Sequence, residues 1–207
     1  MSTSKVRKLW KNEYFQTVVV ILVMVIVVFG LWQVSRLVLN TDYPALTVAS
    51  GSMCTLPGRD CDGWSHPFDR TLHLGDLIIV QGVKAEDIHA APYPDGDIII
   101  YRPVGGDSLI VHRAIEKIND TDTLYIVAKG DGNPGADQPV PADRIVGKVI
   151  MRVPWVGHLT LRMQSSAGIL IVVALIFLIL IIEFIIPAST SKKPKSEAKD
   201  SSEEHSG

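Results

Sequence analysis

The stretch "LIVHRAIEKI", Leu109 to Ile118, indicates the fold class of the chain. It is rich in β-branched residues, which are enriched in strands. Alternate side chains of a strand lie on the same face, so Ile110, His112 and Ala114 share one face. A polar ring therefore stands in an otherwise apolar row, and a buried imidazole needs hydrogen-bond partners for its nitrogens. The stretch predicts a strand whose histidine has polar neighbours.

Four further stretches share this strand-forming composition: "LIIV" (77–80), "DIIIY" (97–101), "LYIVAK" (124–129) and "RIVGKVIMRV" (144–153). Turn-forming residues separate the stretches, among them Pro94-Asp95-Gly96 and Gly105-Gly106-Asp107. No repeat and no helix of useful length is expected in this region. A segment of about 130 residues can bury one hydrophobic core, which favours a single, mainly β domain.

Two apolar blocks flank this predicted domain. The chain has 207 residues, of which 47% are hydrophobic, and the excess lies in Val18 to Val34 and in Ala167 to Ile186. As helices these blocks reach about 25 and 30 Å, enough to cross the core of a bilayer. The first block could instead be a secretory signal peptide, but its apolar run is longer than usual and no small-x-small cleavage site follows it. Two transmembrane helices are therefore expected.

The distribution of basic residues predicts the orientation of these spans. Basic side chains cluster before the first span and after the second, at Lys5, Arg7, Lys8, Lys11, Lys192, Lys193, Lys195 and Lys199. The positive-inside rule places both termini in the cytoplasm. The predicted organisation is a basic cytoplasmic N-terminus (1–16), a first span (17–34), an outward-facing β domain (35–166), a second span (167–186) and a disordered cytoplasmic tail (187–207).

Composition also bears on metals, cofactors and nucleic acids. The chain has two cysteines and six histidines, without C-x-x-C, H-x-x-x-H or H-E-x-x-H spacing. It has no glycine-rich phosphate-binding loop followed by a helix, and its net charge of −2 gives no indication of nucleic-acid binding. We expect neither a metal nor an organic cofactor nor a nucleic-acid partner.

The stretch "VASGSMCTLPGRDC", Val48 to Cys61, carries the candidate nucleophile. A nucleophilic serine needs an exposed hydroxyl and nearby N–H groups, and a preceding glycine permits the tight backbone path. Ser50 and Ser52 flank such a glycine, although a lone serine after a strand is usually a turn residue. Asp131 and Asp137 lie in "KGDGNPGADQ", where turn formation explains both equally well. A serine and a carboxylate on either side of His112 would form a catalytic triad.

Taken in order, "SGSM", "GDLIIV", "GDIIIYRP", "IVHRAI" and "KGDGN…D" resemble the type I signal peptidases, most of all their archaeal and endoplasmic-reticulum branch. The resemblance implies a membrane-bound serine endopeptidase with the signal-peptidase β fold. Such an enzyme removes signal peptides from exported preproteins, cleaving after small residues at the outer membrane surface. The implied partners are preprotein signal peptides, the lipid bilayer and the Sec translocon. The implied location is a multi-pass protein of the cell membrane, or of the endoplasmic-reticulum membrane in a eukaryote.

The resemblance also implies roles for single residues. Ser52 matches the nucleophile, and Ser50 matches the residue whose hydroxyl contributes to the oxyanion hole. His112 matches the general base of this branch. Asp137 matches the catalytic acid position, six residues after the aspartate of "GD". Asp131 matches that first aspartate, close to the site and of less certain role.

Cys54 and Cys61 are the only cysteines of the chain, and both lie in the outward-facing segment. A disulfide between them is expected outside a reducing compartment, and it would brace the backbone just after Ser52. The alternative is a pair of free thiols.

Two other functions stay open from the residues. One is a non-catalytic receptor or assembly module, a β domain held by two anchors. The other is a membrane peptidase that uses a serine–lysine dyad, for which the available lysines are Lys84, Lys117, Lys129 and Lys148.

Overall fold

The computed structural model describes residues 13–55, 70–121, 123–163, 165, 168–171 and 173–179. Its elements in chain order are the helix α1 (Glu13–Val38), the strands β1 (Ala45–Thr47), β2 (Leu77–Gln81), β3 (Ile98–Tyr101), β4 (Ile110–Asp120), β5 (Thr123–Lys129), β6 (Val140–Pro141) and β7 (Ile145–Val153), and the helix α2 (Val156–Met163). Two single 3₁₀ turns, Ala85–Asp87 and Ala142–Arg144, precede β3 and β7.

The helix α1 contains the first predicted span and extends it at both ends. Its segment Phe15–Val38 is 24 residues long, or about 36 Å at 1.5 Å per residue. Most of its apolar side chains are more than half exposed, which is the reverse of what a core helix shows. Within the described residues this is the one continuous helix long and apolar enough to cross a membrane.

The strands form one antiparallel sheet in the order β1-β2-β7-β3-β4-β5-β6. The five stretches predicted as strands are confirmed as β2, β3, β4, β5 and β7, with bounds that differ by at most two residues. The short strands β1 and β6 lie at the two edges of the sheet. Because β1 has a neighbour on one side only, its other side remains open for pairing among the described residues.

The core consists of two apolar clusters. One is centred on Ile99, Tyr101, Ala114 and Ile126, and the other on Val48, Met53, Ile78 and Ile100. Adjacent residues of β3, such as Ile99 and Ile100, contribute to different clusters because successive strand side chains point to opposite faces. Both faces of the curled sheet are therefore covered by apolar side chains.

A hydrogen-bonded junction connects α1 to the sheet. After the helix ends, Asn40 adopts a left-handed conformation with φ of 50°. The Gly82 N–H, just beyond β2, donates to the Leu39 carbonyl over 2.8 Å. A Cβ on Gly82 would lie 1.9 Å from the Asn40 carbonyl oxygen, so only glycine fits this approach. The chain then passes through Pro44 directly into β1.

The region after β7 differs from the sequence prediction. The eight-residue α2 was not expected, because the sequence after Val153 offers too few turns for a clear helical period. Residues from Arg162 onward belong to a second compact unit, in which 168–171 and 173–179 are helical. Within the described residues, a second helix of sufficient length is found only if Val156–Met163 and Gly168–Ile179 are counted as one broken helix, so the second predicted span stays a prediction. The predicted tail, 187–207, lies outside the described residues.

Candidate active site

The loop of the predicted nucleophile, Ser50 to Met53 (the nucleophile loop), leaves the sheet at the end of β1. The Val48 N–H donates to the Asp76 carbonyl and the Val48 carbonyl accepts from the Gly75 N–H, each over 2.9 Å. These bonds continue the pairing of β1 with the segment before β2 up to the point where the loop begins. Met53 is then buried at 1% exposure, while Ser52 stays partly exposed. The loop is thus anchored at both ends and presents its serine.

His112 lies on β4, opposite Ile99 of β3, and is 7% exposed. Its Nδ1 lies 2.5 Å from Asp137 Oδ2, and its Nε2 lies 3.0 Å from Ser52 Oγ. An ionised carboxylate only accepts hydrogen bonds, so Nδ1 carries the proton and Nε2 accepts from the serine hydroxyl. The structure therefore brings together Ser52, His112 and Asp137, in the order that a catalytic triad requires.

Asp137 reaches this position from the loop that follows β5. Its backbone N–H donates to the Ala128 carbonyl over 2.8 Å, which fixes the aspartate beside the end of the strand. Its carboxylate is 27% exposed. The Tyr101 hydroxyl donates to the same oxygen, Oδ2, over 2.8 Å. Burial, followed by this hydrogen bond and the carboxylate charge, raises the pKa of Tyr101 far above its usual range, so the hydroxyl stays a donor at neutral pH.

Ser50 is exposed and lies beside Ser52. Its hydroxyl is 3.2 Å from Ser52 Oγ. Because the Ser52 hydroxyl donates to His112, Ser50 is the donor in this contact. The Ser50 O–H is therefore close enough to donate a hydrogen bond to an oxygen atom bound beside Ser52 Oγ.

Asp131 is placed away from the imidazole, in a buried ion pair with Arg113. Arg113 Nε donates to Oδ1 over 2.8 Å and Nη2 to Oδ2 over 2.6 Å, a bidentate arrangement. The two side chains are 3% and 2% exposed. Arg113 follows His112 on β4, so the two side chains point to opposite faces and each takes one of the two aspartates.

The loop that carries Asp131 also supports the nucleophile loop from behind. The Gly132 N–H donates to the Ser52 carbonyl over 2.9 Å. A Cβ on Gly132 would lie 2.1 Å from the Cys54 carbonyl oxygen, so this contact requires glycine. The Thr71 hydroxyl contacts both the Met53 carbonyl and Asp131 Oδ2. The ion pair is thereby connected to the backbone on which Ser52 lies.

A cavity of about 380 Å³ opens beside the serine and the histidine. Its walls come from the end of β1 with the nucleophile loop and from the start of β4: Thr47, Val48, Ala49, Ser50, Ser52, Met53, Leu109, Ile110, Val111 and His112. The lining is mostly apolar, with the two serines and the imidazole at one end.

Cys54 follows the loop and is buried at 5% exposure. It is disulfide-bonded. Cys61, the other cysteine of the chain, lies outside the described residues, and its pairing with Cys54 stays a prediction.

Comparison with known proteins finds relatives that match most of the chain. Proteins named "Signal peptidase complex catalytic subunit SEC11" match most of the chain. The one from Tuber melanosporum is 26% identical over 178 residues, covering 80% of this chain and 87% of the relative. The chain is a homologue of the SEC11 subunits. The protein from Schizophyllum commune is 28% identical over 177 residues (72% and 81%), and that from Neurospora crassa is 25% identical over 147 residues (66% and 73%). No protein-family model matches the chain.

Sequence reasoning missed three residues of the SEC11 homologue that contact the site: Tyr101, Arg113 and Thr71. The first two carried a signal. Tyr101 carries the one polar side-chain atom of the run "IIIY" (98–101), and Arg113 is a charge between Val111 and Ile115 on the other face of its strand. Such groups need partners. Thr71 gave no comparable signal, because threonine is common in loops.

Proposed function

We propose that this SEC11 homologue is a membrane-bound serine endopeptidase that removes signal peptides from preproteins. The observation that carries the proposal is the continuous contact from Ser52 through His112 to Asp137, with 3.0 and 2.5 Å between the polar atoms. The SEC11 relatives, named as catalytic subunits, support this reading. A receptor or assembly module would have no use for a serine hydroxyl donated to a carboxylate-bound imidazole.

The reaction follows from the positions of the protons. Ser52 Oγ attacks the substrate carbonyl carbon while His112 Nε2 takes the hydroxyl proton. Asp137 holds Nδ1–H and stabilises the imidazolium that forms. The imidazolium then gives its proton to the leaving amine, which breaks the peptide bond and leaves an ester on Ser52. Water, deprotonated by the same nitrogen, hydrolyses the ester and frees the hydroxyl.

The oxyanion of the tetrahedral intermediate needs donors near Ser52. The Ser50 hydroxyl, 3.2 Å from the nucleophilic oxygen, and the Ser52 backbone N–H supply two. Removal of one such donor costs about 10²–10³ in rate in other serine peptidases.

The cavity indicates how the substrate lies. The open side of β1 can accept an extended peptide as an added strand, with main-chain hydrogen bonds for affinity. Alternate substrate side chains would then enter the cavity bounded by Val48, Met53 and Ile110. Its mostly apolar walls favour uncharged residues before the cleaved bond, and the preference for small residues stays an expectation from the family resemblance.

The serine–lysine alternative is less well supported by the contacts. Lys117 Nζ donates to the Glu86 carbonyl over 2.7 Å, and Lys148 Nζ pairs with Asp97 over 3.0 Å. The Ser52 hydroxyl is in contact with His112.

The proposed topology is an endoplasmic-reticulum membrane protein with two spans and both termini in the cytoplasm. The helix α1 is the first span, and the apolar block 167–186 is the second. The sheet domain then faces the lumen, where the Sec translocon delivers preproteins with their signal peptides in the bilayer. Protease protection of N- and C-terminal epitope tags in sealed microsomes tests this arrangement. Digestion of both tags from outside supports it, and protection of either tag contradicts it.

Cleavage of a model preprotein by the full-length protein in detergent tests the activity. Ser52→Ala should abolish cleavage, and Ser50→Ala should reduce it by about 10²–10³. Ser165→Ala, a serine outside the site, serves as the matched control and should cleave like the wild type. Cleavage by Ser52→Ala at the wild-type rate would remove the basis of the proposal.

A further inference from the structure

Tyr101 contacts the catalytic carboxylate without contacting the serine. It lies on β3, where it is opposite Ile110 of β4, two residues from His112 along that strand. The centroids of the Tyr101 and His112 rings are 6.4 Å apart. Tyr101 is 1% exposed, and its hydroxyl donates to Asp137 Oδ2 over 2.8 Å.

The same oxygen of Asp137 serves both donors. Within the described part of the chain, His112 Nδ1 and the Tyr101 hydroxyl are the two hydrogen-bond partners of the carboxylate. A carboxylate that accepts a second hydrogen bond is held in place and offers less negative charge to the first donor. The tyrosine is therefore placed to affect both the orientation and the strength of the contact with the imidazole.

The other charged groups near His112 are paired elsewhere or lie on the opposite face of the sheet. Arg113 points to the opposite face of β4, where it pairs with Asp131. On β7, Lys148 pairs with Asp97. Lys129 of β5 is opposite Arg113 and shares its face, away from the imidazole. Among the described residues, the polar groups in contact with the imidazole are thus Ser52 and Asp137, and Tyr101 acts on it through that carboxylate.

We propose that Tyr101 is a positioning residue that holds the Asp137 carboxylate against His112 and limits the charge that this carboxylate presents to the imidazole. The inference rests on the proposed peptidase function. This role of Tyr101 is distinct from core packing, because it depends on the hydroxyl oxygen and not on the aromatic ring.

Tyr101→Phe removes that oxygen and keeps the ring. We expect kcat to fall about threefold to tenfold, the scale of one hydrogen bond, with KM nearly unchanged. The carboxylate of this variant offers its full charge to His112, which favours the protonated ring. The acid limb of the kcat/KM profile should therefore move to higher pH. Tyr125→Phe, on β5 away from the site, is the matched control and should leave the profile in place.

A second substitution should shift the acid limb of the kcat/KM profile in the opposite direction. The phenol of 3-fluorotyrosine is more acidic than that of tyrosine and donates more strongly, so its incorporation at position 101 should move the acid limb to lower pH. This variant keeps the buried hydroxyl and therefore tests the same contact if Tyr101→Phe folds poorly. Opposite shifts of the acid limb in the two variants would establish the proposed role.

A double substitution separates positioning from packing. In an Asp137→Asn background the carboxylate charge is already gone, so adding Tyr101→Phe should change kcat by less than about twofold, as expected for two groups that act as a unit. The same loss in both backgrounds would mean that Tyr101 acts through packing alone and would overturn the proposal.

Ser52→Ala, assayed alongside, distinguishes failure of the peptidase proposal from failure of the Tyr101 proposal. Cleavage that survives Ser52→Ala removes the reaction itself and overturns both proposals. With Ser52→Ala inactive, an acid limb that stays in place in both Tyr101 variants overturns the role of Tyr101 and leaves the peptidase function standing.

Discussion

Replacing each of the two aspartates by asparagine should give two different defects. Asp137 contacts His112 at 2.5 Å and is 27% exposed, whereas Asp131 is 2% exposed and pairs with Arg113. We therefore expect Asp137→Asn to impair catalysis and Asp131→Asn to impair folding.

The loss of kcat expected for Asp137→Asn follows from the tautomer of the His112 imidazole. An asparagine amide can donate to Nδ1, which would move the imidazole proton to Nε2 and leave no acceptor for the Ser52 hydroxyl. A substitution of this kind in a serine triad costs about 10⁴ in kcat, or about 5.4 kcal/mol of transition-state stabilisation. Stability should change little, because the side chain is partly hydrated and makes no buried ion pair outside the site.

The loss of folding free energy expected for Asp131→Asn follows from the burial of its ion pair with Arg113. The substitution leaves the Arg113 guanidinium buried without a counter-charge, which typically costs about 3–5 kcal/mol of folding free energy. That is a large part of the total of about 5–15 kcal/mol expected for a domain. Molecules that remain folded should cleave at nearly the wild-type rate.

The assay measures both quantities on the full-length protein in detergent. Single-turnover cleavage of a model preprotein gives the chemical rate, and urea unfolding followed by tryptophan fluorescence gives the stability. Asp95→Asn is the matched control, since Asp95 and Arg70 are 71% and 75% exposed and 3.8 Å apart, and exposed pairs contribute about 0–1 kcal/mol. Wild-type stability with a 10⁴-fold rate loss in Asp131→Asn would refute the assignment. Equal, modest rate losses would indicate a serine–histidine dyad.

Three further predictions concern the surroundings of the site. Gly132→Ala should reduce kcat by about 10², because its Cβ would press on the Cys54 carbonyl and displace the site by about 1 Å. The control Gly135→Ala, whose Cβ would have no atom within 4 Å, should cleave like the wild type. Because burial raises the pKa of Tyr101, its hydroxyl proton stays bound in the folded protein above pH ~10 but is lost from the unfolded chain. The free energy of unfolding should therefore fall above this pH by up to about 1.4 kcal/mol per pH unit. Urea midpoints between about pH 9 and 11 should decline less steeply in Tyr101→Phe. Mass spectrometry without reduction should find Cys54 and Cys61 joined in membrane-isolated protein, and two alkylatable thiols would contradict this.

The strands were predictable because they are long enough to show their composition. The runs around Ile99, His112 and Ile126 are rich in β-branched residues and bounded by turn residues, and each became a strand. The two-residue β6 contains Pro141, which cannot donate a ladder hydrogen bond and gives no strand signal. Short elements of this kind form because their neighbours hold them in place.

The site was predictable only in part. The residues by themselves left Asp131 and Asp137 equivalent, because turn formation explains an aspartate beside glycine and proline in either case. What separates them is tertiary: the Asp137 N–H bonds to Ala128, and the alternation of His112 and Arg113 sends their two carboxylate partners to opposite faces of β4. The alternation of His112 and Arg113 could be predicted from the sequence, whereas the hydrogen bond between the Asp137 loop and β5 could not.

The junction between Leu39 and Gly82 has a consequence for how enzyme and substrate meet. A backbone hydrogen bond, without a long linker, joins α1 to the sheet, so the domain follows every lateral movement of its anchor. If α1 spans the bilayer as proposed, the serine and the signal peptide approach one another by two-dimensional diffusion. Their encounter rate then depends on the number of molecules per unit area of membrane. Dilution of reconstituted protein with additional lipid, at constant bulk concentration, should slow cleavage in proportion.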